Sequence, residues 1–248
     1  MARTIDLDIA YSPRNVKFSK VGAAYSDVTL VDRLSGASWA YDWSPYAGGD
    51  LPRGVEYCPM LWGPKFYSQW YSAASDALSA GSGCFLGFNE PDIAEQANMT
   101  PKQAAIDFQT YMTPYSGQAT LVTPAVTNGE GDMIGLNWLE QWFTECNGRC
   151  KADRIAIHYY ANSGSTDFIN YVTTAIDLAE RNGIPSIWIT EFQNTGSSAD
   201  QILFLHEVIP WLNNNTAIER YAYFFVADEY LLSGTELNAI GQAYMSYS

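Results

Sequence analysis

The sequence predicts an α/β fold, a single (β/α)₈ barrel over residues 1–248, and three observations carry that prediction. Eight short apolar runs recur along the chain. Helical patterns with readable start and stop signals separate most of them, and the length of 248 residues matches the roughly 250 typical of one such barrel.

The apolar runs are Val21–Ala24, Ser38–Asp42, Tyr57–Leu61, Cys84–Phe88, Thr120–Ala125, Arg154–Tyr159, Ser186–Thr190 and Tyr221–Val226. They are rich in Ile, Val, Phe and Tyr and lack an extended hydrophobic/polar alternation, as strands buried on both faces do. From the fourth run onward the spacing leaves room for a full helix each time. Between the second and third lies "WSPYAGGDLPRG", whose Pro45, Gly48, Gly49 and Pro52 leave no helix, so the helical ring is expected to be incomplete near strands 2 and 3. Thr100-Pro101-Lys102-Gln103 reads as a capping box with Pro at the first helical position, and Ser198-Ala199-Asp200-Gln201 reads the same way with Ser198 as cap. "STDFINYVTTAIDLAERNG" opens on a polar cluster and stops at Asn182-Gly183, where a left-handed residue ends a helix.

Composition narrows the function classes. The formal charge is −14, from 27 acidic against 13 basic residues, which argues against nucleic acid or anionic membrane as partner. No 18-residue apolar run is present for a membrane span. The start "MARTIDLDIA" is not a signal peptide; for a secreted protein it reads as a mature form with an added Met1. Of the four cysteines, Cys146 and Cys150 bracket a turn and are expected to pair; Cys58 and Cys84, in neighbouring strands, either pair or stay as buried thiols. With the glycosylation triplets at Asn98 and Asn214, the cysteines tilt the expectation toward an extracellular monomer. The only histidines are His158 and His206 and there is no Cys-x-x-Cys, so neither a metal centre nor a cofactor is expected. The serine-hydrolase elbow, P-loop, His-Glu-x-x-His and dinucleotide motifs are missing too.

The chemistry gathers at strand ends. In a parallel barrel the C-terminal ends of the strands form the mouth where catalysis is done. "CFLGFNEPD" delivers Asn89 and Glu90 from the fourth strand, and "SIWITEFQN" delivers Glu191 from the seventh. A ring of eight sets these two carboxylic acids across one mouth, as glycoside hydrolysis requires: a protonated acid for the leaving oxygen and an anionic partner for the oxocarbenium-like carbon. The Asn89 amide suits a sugar 2-hydroxyl, and Pro91 stops the strand and restricts the backbone that presents both residues. His158 and Tyr160 sit where the sixth strand closes, the histidine placed to orient Glu191 or bond a sugar hydroxyl. Trp43, Trp62 and Phe225 at strand ends are expected to offer aromatic faces to sugar rings. Tyr41 is a further candidate, with Trp39 deeper.

The segments "SWAYDWSP", "LGFNEPD", "HYYA" and "WITEFQ", in this order from about Val21 to the C-terminus, resemble glycoside hydrolase family 128, β-1,3-glucanases with a (β/α)₈ fold. The resemblance implies Glu90 as acid/base, Glu191 as nucleophile, Asn89 as partner of the 2-hydroxyl, and a retaining mechanism on laminarin-like glucans. The expectation is therefore a retaining enzyme that cuts within β-1,3-glucan chains. The alternative is a barrel that binds β-1,3-gluco-oligosaccharides and hydrolyses them poorly, since some family members chiefly bind.

Overall fold

The computed structural model describes residues 19–246; the N-terminal "MARTIDLDIA" lies outside them. Eight parallel strands follow one another: β1 (Gly22–Ala24), β2 (Trp39–Tyr41), β3 (Glu56–Tyr57), β4 (Cys84–Phe85), β5 (Thr120–Val126), β6 (Arg154–Ala161), β7 (Ile187–Asn194) and β8 (Ile218–Tyr223). They pair as β1–β2–β3 and as β4–β5–β6–β7–β8. A bridge between Met60 and Leu86 joins the two sheets at one seam, and bridges Val21–Tyr221 and Tyr25–Val226 join them at the other. The curled sheet thereby closes on itself.

The helices are α1 (Tyr67–Ser79), α2 (Pro101–Tyr111), α3 (Gly135–Cys146), α4 (Ser165–Arg181), α5 (Ser198–Asn214) and α6 (Ala239–Met245). β1 and β2 are joined by a 3₁₀ turn, Val28–Arg33, and β2 and β3 by no helix at all, so the outer ring is open where the Pro/Gly-rich segment runs. Thr100 caps α2 by accepting the Gln103 backbone N–H, but the Gln103 side chain turns to Asp107 instead of closing the box. The cap of α5 is Ser197, one residue before the expected Ser198. Its hydroxyl accepts from the Asp200 N–H while the Asp200 carboxylate accepts from the Ser197 N–H, completing a capping box. Helix α4 ends as expected, with Gly183 at φ +71°.

Side chains sort cleanly onto the two faces of the strands. Ile155, Ile157, Ile187 and Ile189 face outward and pack under the helices. Trp39, Tyr41, Met60, Leu86, Val122 and Trp188 fill the interior, opposite Ala24, Ala125, Ala156 and Ala222. Bulky indoles set against alanines let the layers interdigitate, so the barrel is packed solid below its mouth. Both cysteine pairs are bonded, Cys146–Cys150 after α3 and Cys58–Cys84 across the β3–β4 seam, which settles the alternative left open for the second pair.

Strand limits differ from the sequence reading in ways that matter for the site. β6 and β7 run past His158 and Glu191 to Ala161 and Asn194, so these residues lie within strands and not at their tips. β8 begins at Ile218, not Tyr221, and ends before Phe224. β4 is regular only over Cys84–Phe85; its continuation holds on through the Leu86 and Asn89 bridges. Gly87 permits that continuation, because a Cβ there would lie 2.7 Å from the Thr123 backbone of β5.

Candidate active site

A break in register builds the centre of the mouth. Ile157 pairs with Ile189, but the next residue, His158, pairs with Glu191, so β7 carries one extra residue, Thr190. A bulge of this kind re-aims side chains. Here it lets the consecutive Thr190 and Glu191 both address His158: its Nε2 lies 2.9 Å from Thr190 Oγ1 and 3.4 Å from Glu191 Oε1. The Nδ1 atom lies 2.8 Å from Glu90 Oε1. One fully buried imidazole therefore ties together the two carboxylic acids read from sequence, and one oxygen of each lies within 4.8 Å of the other.

Glu90 reaches this position by an unusual backbone. Its φ is +41°, in the left-handed region, which for a side-chain-bearing residue costs about 1–3 kcal/mol and lasts only where neighbours hold it. They do so here: Asn89 N–H donates to the Trp62 carbonyl at 2.9 Å and Glu90 N–H to the Ala125 carbonyl at 2.8 Å. Asp92 then accepts from the Thr127 hydroxyl at 2.6 Å and from the Gly135 N–H at 2.9 Å, fastening the segment after β4 to the end of β5 and the start of α3. Gly135 is required there, because its φ is +61° and a Cβ would strike the Gly129 carbonyl at 2.2 Å.

Glu191 is held by donors at both oxygens. The Trp43 indole N–H donates to Oε1 at 2.6 Å and the Tyr160 hydroxyl to Oε2 at 2.6 Å. Burial first, then the charge and hydrogen bond of Glu191, push the Tyr160 phenol far above its ordinary value, so it stays a donor. Doubly hydrogen-bonded as an acceptor, Glu191 has its orientation fixed while keeping 5% exposure to the cavity.

The cavity above the carboxylates measures about 650 Å³ and is lined by Trp43, Trp62, Asn89, Glu90, Tyr160, Glu191 and Phe225. All of these were expected at the site. Phe224, Gln96, Thr127 and Asn128 join them without having been singled out from sequence. Phe224 and Phe225 are linked by a cis peptide and both pack edge-on against Trp43, with centroids 5.8 Å away. Lys65 covers one face of Trp62, its Nζ 3.3 Å from the ring centroid.

Two expectations need correction. Tyr41 and His158 were read as sugar contacts, but both are fully buried, so neither presents a surface to a ligand. The alternation of β2 turns Tyr41 into the barrel interior, where its hydroxyl donates to the Thr190 carbonyl at 2.8 Å. His158 is enclosed beneath the carboxylates; of its two expected roles, the structure places it for orientation. Trp39 lies deeper, as expected, its indole N–H donating to the Lys20 carbonyl.

Burial works against a charged His158, but the charge of Glu191 and the hydrogen bond and charge of Glu90, with Asp92 farther off, outweigh it and raise the pKa above 6.5. A raised folded-state value stabilises the protein fully below the unfolded value near 6.5 and is lost as pH rises through the folded one. His158→Gln is therefore expected to lower the melting temperature most at acid pH, and the gap from the parent should narrow as pH is raised. Melting curves with a gap independent of pH would refute this account.

Donor atoms of Glu90, His158 and Glu191 lie close enough for a metal ion, but they are already engaged with one another. In the other donor cluster, Glu56 with Cys58 and Cys84, both sulfurs are spent in a disulfide.

Comparison with known proteins bears on this geometry. The family model described as "Glycosyl hydrolase catalytic core" matches residues 22–244. Among solved structures, the chain is similar to a family 128, subgroup III, curdlan-specific exo-β-1,3-glucanase from Blastomyces gilchristii in complex with glucose. The two are 43% identical over 92% of this chain and 97% of that one, with a TM-score of 0.88. A family 128, subgroup II, endo-β-1,3-glucanase from Sorangium cellulosum is 32% identical over 93% of this chain and 99% of that one, with a TM-score of 0.77. Among curated proteins, alkali-sensitive linkage protein 1 of Schizosaccharomyces pombe is 29% identical over 85% of this chain, which spans 40% of that protein's length.

Proposed function

Because the chain belongs to glycoside hydrolase family 128, a family of β-1,3-glucanases, we propose that it hydrolyses β-1,3-glucan with retention of anomeric configuration. The observation that carries the mechanism is the distance between carboxylates. One oxygen of Glu90 lies within 4.8 Å of one oxygen of Glu191, a close approach that supports the roughly 5–5.5 Å separation of retaining sites.

In this reading Glu191, aligned by Trp43 and Tyr160, attacks the anomeric carbon while Glu90 protonates the linking oxygen. The C–O bond to the leaving sugar breaks and an ester to Glu191 forms. Glu90, now a carboxylate, takes a proton from water, whose oxygen displaces Glu191 and restores both groups. Asn89 supports the expected contact with the 2-hydroxyl: its Nδ2 donates to Gln96, while its buried Oδ1 has no protein partner. A sugar hydroxyl donating there would relieve a desolvation cost of about 1–3 kcal/mol.

Proton NMR of the earliest product tests the stereochemistry. The β-anomer should appear first and mutarotate; immediate α-anomer would exclude double displacement on a β-glucan. For mode of cleavage, the sequence led to an expectation of endo action, whereas the relative at 43% identity is exo-acting, and we favour exo on that identity. Curdlan digestion releasing glucose without a ladder of oligosaccharides supports exo cleavage, and a ladder restores endo. Binding of laminarioligosaccharides with no release of reducing sugar would favour the non-hydrolytic alternative. Two disulfides support an oxidising, extracellular setting for this activity.

A further inference from the structure

The backbone at Trp43 is pushed out of line with its neighbouring strand. Cys58 N–H donates to the Ala40 carbonyl at 2.9 Å, and Met60 N–H to the Ser44 carbonyl at 3.0 Å. Between these bonds the chain leaving β3 advances two residues while the chain leaving β2 advances four, so the latter bulges. Trp43 lies in the bulge at φ +58°, a left-handed conformation that persists in a residue with a side chain only where its surroundings over-determine it. From there its indole N–H reaches Glu191 Oε1 at 2.6 Å. Whatever fixes the bulge therefore fixes a donor to the carboxylate.

Tyr57, the last residue of β3, grips the bulge on both sides of Trp43. Its hydroxyl oxygen lies 2.7 Å from Asp42 Oδ1 and 2.7 Å from the Ser44 carbonyl oxygen. Farther along, the Tyr25 hydroxyl donates to the Ala47 carbonyl at 2.8 Å. A phenol has one proton and a carbonyl oxygen only accepts. If Tyr57 donated to an ionised Asp42, its oxygen would face the Ser44 carbonyl with no proton between them. If it donates to Ser44, the contact with Asp42 needs a proton from the carboxyl group itself. The second arrangement satisfies all three groups: the Ser44 carbonyl accepts from Met60 N–H and Tyr57 O–H, and the Asp42 O–H donates to the phenol oxygen.

We propose that Tyr57 and a protonated Asp42 are positioning residues that hold Trp43 in its bulge and thereby align Glu191, a consequence for catalysis that rests on reading Glu191 as the nucleophile. The surroundings favour the proton on Asp42. Burial raises its pKa, and hydrogen bonds from Tyr57 and from nearby backbone N–H groups offset this only in part. The titratable groups facing it are the phenols of Tyr57 and Tyr25, each raised first by burial and then by Asp42, so neither supplies a counter-charge. Among the described residues, no lysine, arginine or histidine forms an ion pair with it. As pH rises through the raised value, Asp42 ionises and draws the phenol proton away from Ser44, which loosens the grip on Trp43.

The test begins with a signal that needs no turnover. In a proton–nitrogen NMR spectrum the Trp43 indole N–H, identified by its loss in Trp43→Phe, should lie downfield because it meets a carboxylate. Tyr57→Phe should move it upfield, while the indoles of Trp70 and Trp138, bonded to the Tyr111 and Met99 carbonyls, stay in place. An unmoved Trp43 resonance overturns the proposal. In the infrared, Asp42→Asn should remove a carboxylic-acid carbonyl band that the parent shows at the same pH; a parent without that band overturns the part given to Asp42. On laminarihexaose, Tyr57→Phe should lower kcat/KM about tenfold, chiefly through kcat, but less than about twofold when made in Trp43→Phe. Equal losses in the two backgrounds would make Tyr57 a merely structural residue and overturn the proposal. If Tyr57→Phe does not fold, Asp42→Ala should give the same upfield shift and loss, and Asp42→Asn, whose N–H still donates to the phenol, should restore both. Equal behaviour of those two variants overturns the proposal as well. A parent that hydrolyses nothing counts against the catalytic reading instead, and the Trp43 resonance then decides alone.

Discussion

Glu191→Ala should lose about 10⁴-fold or more in kcat, the scale seen when a covalent nucleophile is removed, and azide should then restore turnover by yielding an α-glycosyl azide. The physical reason lies in the space the truncation leaves. Trp43 and Tyr160 still point their N–H and O–H at the position of the missing carboxylate, so a small anion finds two donors ready. It attacks from the face that Glu191 used, while Glu90 still protonates the leaving oxygen. One displacement in place of two inverts the configuration. Product NMR reads this directly, and parental activity in the Glu191→Ala variant would remove Glu191 from the mechanism.

Glu90→Ala should produce the complementary phenotype. Loss of a general acid/base is worth about 10²–10⁴-fold on natural glucans. An aryl glycoside with a good leaving group needs no protonation, so its first step should survive and an initial burst of phenol should precede slow release of the sugar. Azide should accelerate that second step and yield the β-glycosyl azide, since it replaces water on an intermediate already attached to Glu191. The opposite configurations from the two variants would reveal an exchange of roles at once. Truncation also leaves His158 without its Nδ1 partner in a fully buried position, so some stability should be lost with it. Glu90→Gln keeps a hydrogen-bonding group there and separates the two effects: it should melt closer to the parent and still fail on laminarin.

Much of the ring and its mouth was legible in residue order. Short apolar runs without alternation identify buried parallel strands, and the Pro/Gly-rich segment after β2 identifies the gap among the helices. Asn89 and Glu90 stood out because a strand of Phe and Leu ended in polar groups followed by a proline. The boundaries of β6, β7 and β8 were less readable. Near the mouth their strands carry polar and aromatic residues that resemble loop, yet neighbouring strands keep them hydrogen-bonded as far as Ala161 and Asn194. Tyr41 was misread for a related reason, since strand alternation gives a face but not a depth.

Local chemistry along the chain was sufficient to specify the element order, the cap at Thr100 and the Cys146–Cys150 pairing, because each depends on neighbours a few residues away. What tertiary structure alone decided depends on contacts between distant segments. The extra residue in β7 aims Thr190 and Glu191 together at His158, the left-handed Glu90 is held by Ala125, and Trp43 reaches 148 positions along the chain to orient a carboxylate. A register shift is set by how two strands fit side by side, and no pattern within either strand encodes it.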